Sequence, residues 1–277
     1  MSSWGVHKKR DTKRIALTNA SPMHTKYFIP VTQNSSVICA IALDEDPYID
    51  EWIQYHLKVG FAHIYIYDNS EKNTLYNKTN EHVTIIHFPG KKRHLEAYDI
   101  FVTQYKKYHK WAAFIDCDEF IVLKQHKSIA DFLNSYNECE AIGLNWIMFG
   151  TSHETIYKNE PVTKRFTKCA DHVNKHIKCI VQIDKIDRYI SSHYPQLLKG
   201  HIYDTMKTII TGAPFHKGKA DVACIHHYYT KSEEEFYKKI LRGTSDEHPT
   251  RSLSELDGVH LRNNDVINTD AWDRYRS

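Results

Sequence analysis

No apolar run in this 277-residue sequence exceeds the seven residues Val37–Leu43, well short of the roughly 20 that span a bilayer. No transmembrane segment is expected. Lys8, Lys9, Arg10 and Lys13 are followed by no apolar stretch of about 7–15 residues, which argues against a secretory signal and for a soluble, intracellular protein. A one-sided charge is lacking too: 37 Lys and Arg stand against 34 Asp and Glu, and the resulting +3 is too little for the broad basic face that nucleic acid requires. There is no C-x-x-C pair. The six cysteines, at 39, 117, 139, 169, 179 and 224, are dispersed, so reduced thiols are expected rather than a disulfide framework or a zinc site. Nineteen histidines accompany abundant Lys, Asn, Ile and Tyr, and their number alone is no argument for a metalloprotein. What remains is a globular chain whose 41% hydrophobic content can fill a substantial core.

Residues 1–34 are polar and cation-rich and read as an N-terminal arm. Regular structure is predicted from Val37, because Val37–Leu43 is apolar on both faces, the mark of a central strand covered on each side. Asp46 is read as the cap of a helix that starts at Pro47, carries Ile49, Trp52, Ile53 and Leu57 on one stripe and stops at Gly60. Strands are predicted over Ala62–Tyr67 and Val83–His87. A helical stripe Leu95, Tyr98, Val102 and Tyr105 precedes the strand Trp111–Ile115. The order β-α-β-β-α-β argues for an α/β chain with a mostly parallel central sheet flanked by helices, in a single domain over 35–245. Ser128 opens a short helix and Ala141–Trp146 reads as another strand. Between about 150 and 220 no period persists, and loops with a few antiparallel strands are expected. Ser232 and Glu235 form a capping-box pattern ahead of a buried stripe of Phe236, Tyr237, Ile240 and Leu241, with Gly243 as the stop. Residues 246–277 read as a polar tail.

The chemistry gathers at Asp116-Cys117-Asp118-Glu119, directly after the apolar strand Trp111–Ile115, where open α/β sheets place their ligand crevice. In an extended backbone Asp116 and Asp118 point to one side, and a hard cation such as Mg²⁺ or Mn²⁺ would relieve their repulsion while leaving sites for phosphate oxygens. A solvated acidic turn is the competing reading of this D-x-D.

Asp44-Glu45-Asp46-Pro47-Tyr48, Glu51-Trp52, Tyr55-His56, Gly60-Phe61, Ile66-Tyr67-Asp68-Asn69 and Phe114-Ile115-Asp116-Cys117-Asp118-Glu119-Phe120 occur in an order that resembles the DUF23/family 92 and family-2-like glycosyltransferases of GT-A fold. Asn145-Trp146-Ile147-Met148-Phe149-Gly150, Lys164-Arg165-Phe166, Lys178-Cys179-Ile180-Val181 and His226-His227-Tyr228-Tyr229-Thr230-Lys231-Ser232 continue the resemblance downstream. It implies a Rossmann-like nucleotide-binding half, a nucleoside-diphosphate donor such as a UDP-sugar, a glycan or other hydroxyl acceptor, and inversion at the anomeric carbon. Asp118 would be the main metal ligand, with Asp116 on ribose or metal, Glu119 holding the loop and His227 completing the site, with His226 in reserve. An imidazole ligand favours Mn²⁺ over Mg²⁺. Asp44 and Glu45 would receive uracil or ribose. Asp68 and Asn69 would line the nucleoside wall or form an Asx turn. Lys231, ahead of a helix, and Arg242 would meet the diphosphate, while Lys178, Arg165 and His193 are further cleft candidates. The base that accepts the acceptor's proton is assigned to Glu154, with His153 and Asp171 as rivals. Animal and plant members resemble anchored Golgi proteins, so a cytoplasmic enzyme of bacterial or viral type is the expectation. Two other classes remain open: a nucleotidyltransferase or phosphoesterase using the same acidic pair, and a non-catalytic carbohydrate-binding module.

Overall fold

The computed structural model describes residues 35–243 and 263–277, with Ser254 and Gly258 between them. The arm over 1–34 and much of the polar tail lie outside the described residues. Strand β1, Ser36–Ala42, is buried along its whole length. It lies parallel between β2 (His63–Asp68) and β4 (Trp111–Phe114), and β3 (Val83–His87) extends the parallel set beyond β2. Helix α1 is Ile49–Val59, two residues later than the capping signal suggested. The N–H groups of Tyr48 and Ile49 both donate to the Glu45 carbonyl, which makes Asp46-Pro47 part of a turn. The Asp46 carboxylate accepts from the Thr74 hydroxyl instead (2.9 Å). Gly60 ends the helix in the left-handed region, φ +106°, donating to the carbonyls of His56 and Leu57. Two buried side chains tie α1 to the neighbouring strand β5, Glu119–Leu123: the Trp52 indole donates to the Glu119 carbonyl and the Tyr55 hydroxyl to that of Ile121.

The other half of the sheet is mixed. Strand β8, Ile177–Gln182, runs antiparallel to both β4 and β6 (Ala141–Met148). After an antiparallel pair, β9 (Ile186–Ser191) and β10 (Tyr194–Leu197), and a short β11 (Ile202–Tyr203) beside β6, strand β12, Ala223–His227, lies parallel to β6 and antiparallel to β5, so the order is β3-β2-β1-β4-β8-β6-β12-β5. The α/β class and the central sheet flanked by helices are as the sequence indicates, but the parallel character belongs to the β1–β4 half. Strand β8 escaped the periodicity because Lys178 interrupts the apolar run from Ile177 to Val181 and yet is buried. One apolar core, under α1 and α3 (Ile129–Asn134), gathers Trp52, Phe120, Phe132 and Ile225. A second, under α2 (His94–Tyr105), gathers Tyr98, Phe101, Phe114 and Tyr189.

Helix α5, Glu233–Arg242, follows a short helix α4, Val162–Arg165, in the chain. The capping box between Ser232 and Glu235 is formed, and Gly243 stands at the C-cap. The buried face differs from the expected stripe: Glu235, Phe236 and Lys239 are inward, whereas Tyr237 and Leu241 are exposed. Part of the polar tail is built into the fold. Val266–Ile267 (β13) pairs with Lys168–Cys169 (β7), and α6, Asp270–Arg276, packs on α1 and β5 with Ala271 buried. All six cysteines are free and buried. Among the described residues no helix is long and apolar enough to cross a membrane.

Candidate active site

Asp116, Cys117 and Asp118 form a turn between β4 and β5, closed by the Glu119 N–H donating to the Asp116 carbonyl (3.1 Å). The extended, same-side geometry expected of the acidic pair is therefore absent. Asp116 turns to β8, where Lys178 donates to it at 2.9 Å, and to the start of α2, where His94 Nε2 is 3.7 Å away. Asp118 turns the other way, toward Lys239 of α5 (2.6 Å) and His227 of β12 (3.4 Å). Burial alone would raise the Asp118 carboxyl, but Lys239 and His227 hold it well below the ordinary carboxylate range. Burial would likewise raise Asp116, and Lys178 with His94 brings it below its usual value. Glu119 sits behind them, fully buried, and accepts from the Asp116 N–H (3.0 Å), which braces the turn; burial pushes its carboxyl well up.

Burial lowers the pKa of His227 against the pull of Asp118. Its Nε2 faces Asp118 and its Nδ1 is buried without a hydrogen-bond partner. Among the described residues no three His, Cys, Asp or Glu side chains converge as a metal site. Each carboxylate of the acidic pair is held by a lysine, Asp116 by Lys178 and Asp118 by Lys239, and Asp118 and His227 face one another. That pair joins a hard oxygen to an imidazole nitrogen and suits Mn²⁺ when phosphate oxygens complete the shell. His226, the reserve ligand, alternates to the opposite face of β12 and packs against Phe149 in the core.

Next to this acidic turn lies a pocket of about 400 Å³ whose lining includes Asp44, Glu45, Tyr48, Lys231, Lys239 and Arg242. Four residues proposed for the donor from sequence therefore meet in one cavity. Asp44 is held in the left-handed region, φ +50°, with its N–H donating to Ser70 Oγ. Glu45 is buried between Arg242 (3.1 Å) and Lys231 (3.9 Å). Arg242 also donates to the carbonyls of Leu43 and Asp44, so the far end of α5 faces the cleft. The Lys231 ammonium stands 4.3 Å over the Tyr48 ring, and Tyr48 donates to Glu235, which Arg165 grips from the other side at 2.7 Å. Arg165 thus supports the pocket wall from beneath.

Other expected members are occupied elsewhere. The two oxygens of Asp68 accept from the N–H groups of Ser70 and Leu75, and Asn69 donates to the carbonyls of Phe88 and Gly90, so both brace the loop instead of presenting a nucleoside wall. Glu154 is paired with Lys158 at 2.6 Å, and its carbonyl receives the Glu233 N–H. His153, φ +65°, faces Lys168 across 3.1 Å on the surface. Asp171 is exposed beside His172. Glu154 thus makes its contacts with Lys158 and with the start of α5. Sequence reading missed Lys239 and His94. Lys239 had a legible signal, since it follows Glu235 at i+4 on the face that the capping box turns inward.

A model of glycosyltransferase family 92 matches residues 35–258. A glycosyltransferase family 92 protein of Oryza sativa subsp. japonica is 25% identical over 61% of this chain and 31% of its own length. One of Arabidopsis thaliana is 20% identical over 86% of this chain and 43% of its length, and one of Ricinus communis 24% over 75% and 37%. The chain accordingly spans less than half the length of these relatives.

Proposed function

We propose that this chain, which belongs to glycosyltransferase family 92, transfers a sugar from a nucleoside-diphosphate donor, a UDP-sugar, to a hydroxyl acceptor. The observation that carries this reading is the junction of the Asp118–His227–Lys239 cluster with the cation-lined pocket of Lys231 and Arg242. A diphosphate gathers negative charge as the bond from its oxygen to the anomeric carbon breaks, and fixed cations in a poorly solvated site stabilise that charge best. Lys231, Lys239 and Arg242 are such cations. Glu45, buried beside two of them, offers a carboxylate to ribose or base donors. Asp118 and His227 would hold a divalent cation, which when bound would supply further neutralisation of the departing diphosphate. Attack by the acceptor oxygen from the opposite face, with loss of its proton to a base, inverts the anomeric centre.

The test is nucleotide binding by calorimetry together with product analysis. UDP is expected to bind the parent chain more tightly with Mn²⁺ than with EDTA, and Asp118→Asn is expected to abolish that difference while the fold persists. Equal affinity with and without EDTA would remove the metal from the scheme. Release of sugar 1-phosphate, in place of UDP, from the UDP-sugar would identify nucleotidyl transfer, and a sugar bound without any turnover would identify a binding module.

A further inference from the structure

Outside the donor pocket lies a concentration of rings of which the scheme uses only His227. It surrounds Trp146 at the end of β6. The indole is nine-tenths buried, with His176 stacked on it at 4.9 Å and 19°, His193 at 5.2 Å and His227 at 4.3 Å. His176 in turn meets the edge of Phe215 at 4.6 Å, and Phe215 is 56% exposed, a large apolar ring that the core does not need. His176 and Phe215 line an open cleft of about 340 Å³ together with Asn174 and Lys175. Through His227, 3.4 Å from Asp118, the ring cluster is continuous with the acidic turn.

We infer that this cleft is the acceptor subsite and that it takes a pyranose ring, stacked on the exposed Phe215 with its hydroxyls toward the His176 imidazole. The inference rests on the glycosyl-transfer reading above. A pyranose presents an apolar C–H face bordered by hydroxyls, and the electron-rich faces of aromatic rings complement that C–H face. Lone-pair nitrogens supply the complement for the hydroxyls. His193 Nδ1–H donates to the Ile177 carbonyl, and His176 Nδ1–H donates to Asn174 Oδ1, which also receives the His176 backbone N–H. With Nδ1 donating, the acceptor position of each ring is Nε2, and His176 is the one of the two that lines the cleft. The cleft is also built before any ligand arrives. The Asn145 amide, on β6, donates to the carbonyls of Asn174, Lys175 and His216. Backbone bonds from Ile177 to Pro214 and from His216 to Lys175 fasten the loop that carries Phe215 to the strand that carries His176. Such preorganisation reduces the entropy lost on binding.

The experiment uses the whole chain and a panel of methyl glycosides of glucose, galactose, mannose, fucose, xylose and N-acetylglucosamine. Saturation-transfer NMR is expected to show at least one of them bound, with transfer concentrated on the ring C–H protons of one face. Phe215→Ala should weaken that binding by up to about tenfold, the ordinary worth of one ring contact, and Phe215→Tyr should restore it. If no glycoside of the panel binds, or if Phe215→Ala and His176→Ala both leave affinity within about twofold, the inference is overturned. UDP binding in the same samples separates the two failures. UDP bound without any glycoside condemns the subsite alone, whereas a parent chain that binds neither condemns the transfer reading as well.

Discussion

The Lys239 ammonium is the nearest positive charge to Asp118, and its removal would leave a buried carboxylate with the His227 imidazole and the more distant Lys231. Lys239→Met is expected to cost about 1.5–3 kcal/mol of stability, the range for a hydrogen bond to a charged group, and to weaken UDP binding in the same variant. Urea titration and calorimetry measure the two effects. His56 gives a second single-residue consequence. It is fully buried, its Nδ1–H donates to the Trp52 carbonyl, its Nε2 accepts from the Ile121 N–H, and burial pushes its pKa down to about 3. Between the ordinary value near 6.5 and that lowered value the unfolded chain binds a proton that the folded chain refuses, so stability falls as pH falls through this window. The slope for one such group is about 1.4 kcal/mol per pH unit. Urea midpoints at pH 7.5 and 5.5 should therefore differ less in His56→Gln than in the parent, although the variant is the less stable of the two at pH 7.5.

Helix α5 shows how an element serves both fold and site. Its first turn is capped by Ser232, while Glu235 accepts from Ser232, Arg165 and Tyr48 at once. Burial alone would raise the Glu235 carboxyl, but those hydrogen bonds keep it below its ordinary value. Ser232→Ala is expected to cost about 1 kcal/mol, the usual worth of a cap. Glu235→Ala, which strands a buried guanidinium, is expected to cost about 3–5 kcal/mol, and Leu241→Gln, at an exposed position, less than about 0.5 kcal/mol. Thermal melts of the three variants test the ranking. The cap and the stop of this helix were legible because both depend on local hydrogen bonds. Its buried face was not, because Lys239 and Glu235 are drawn inward by Asp118 and Arg165, partners far off in sequence. The same cause hid β8, whose Lys178 is buried against Asp116 of the turn after β4. The position of the acidic turn could be read from the apolar strand before it, but the divergence of its two carboxylates could not, since each direction is set by a cation on a different element. Glu154 was chosen from loop order alone, and loop order does not report Lys158 as its partner.

At the scale of the whole molecule, residues far apart in sequence are clipped together at Gly150. Its N–H donates to the Asn263 carbonyl, and a Cβ there would stand 2.6 Å from Asn264 Oδ1 and 2.7 Å from the Asn263 carbonyl oxygen. Gly150→Ala is expected to push β13 and α6 outward at a cost of about 1–3 kcal/mol, the ordinary toll of overpacking, with faster amide exchange over 263–277 as the readout. The sheet order carries a consequence for the history of each molecule. Strand β12 is inserted between β5 and β6, pairing Ala223 with Leu123 on one side and His227 with Met148 on the other. Until it arrives, a newly made chain holds a slot one strand wide, bordered by two open edges of the kind that recruit foreign strands. Contacts between such distant segments form slowly. The arriving strand brings His227 to Asp118 and draws α5, with Lys239, in behind it. Closure of the sheet and assembly of the acidic cluster are thus one event, and a partly folded chain has no finished site with which to engage a nucleotide.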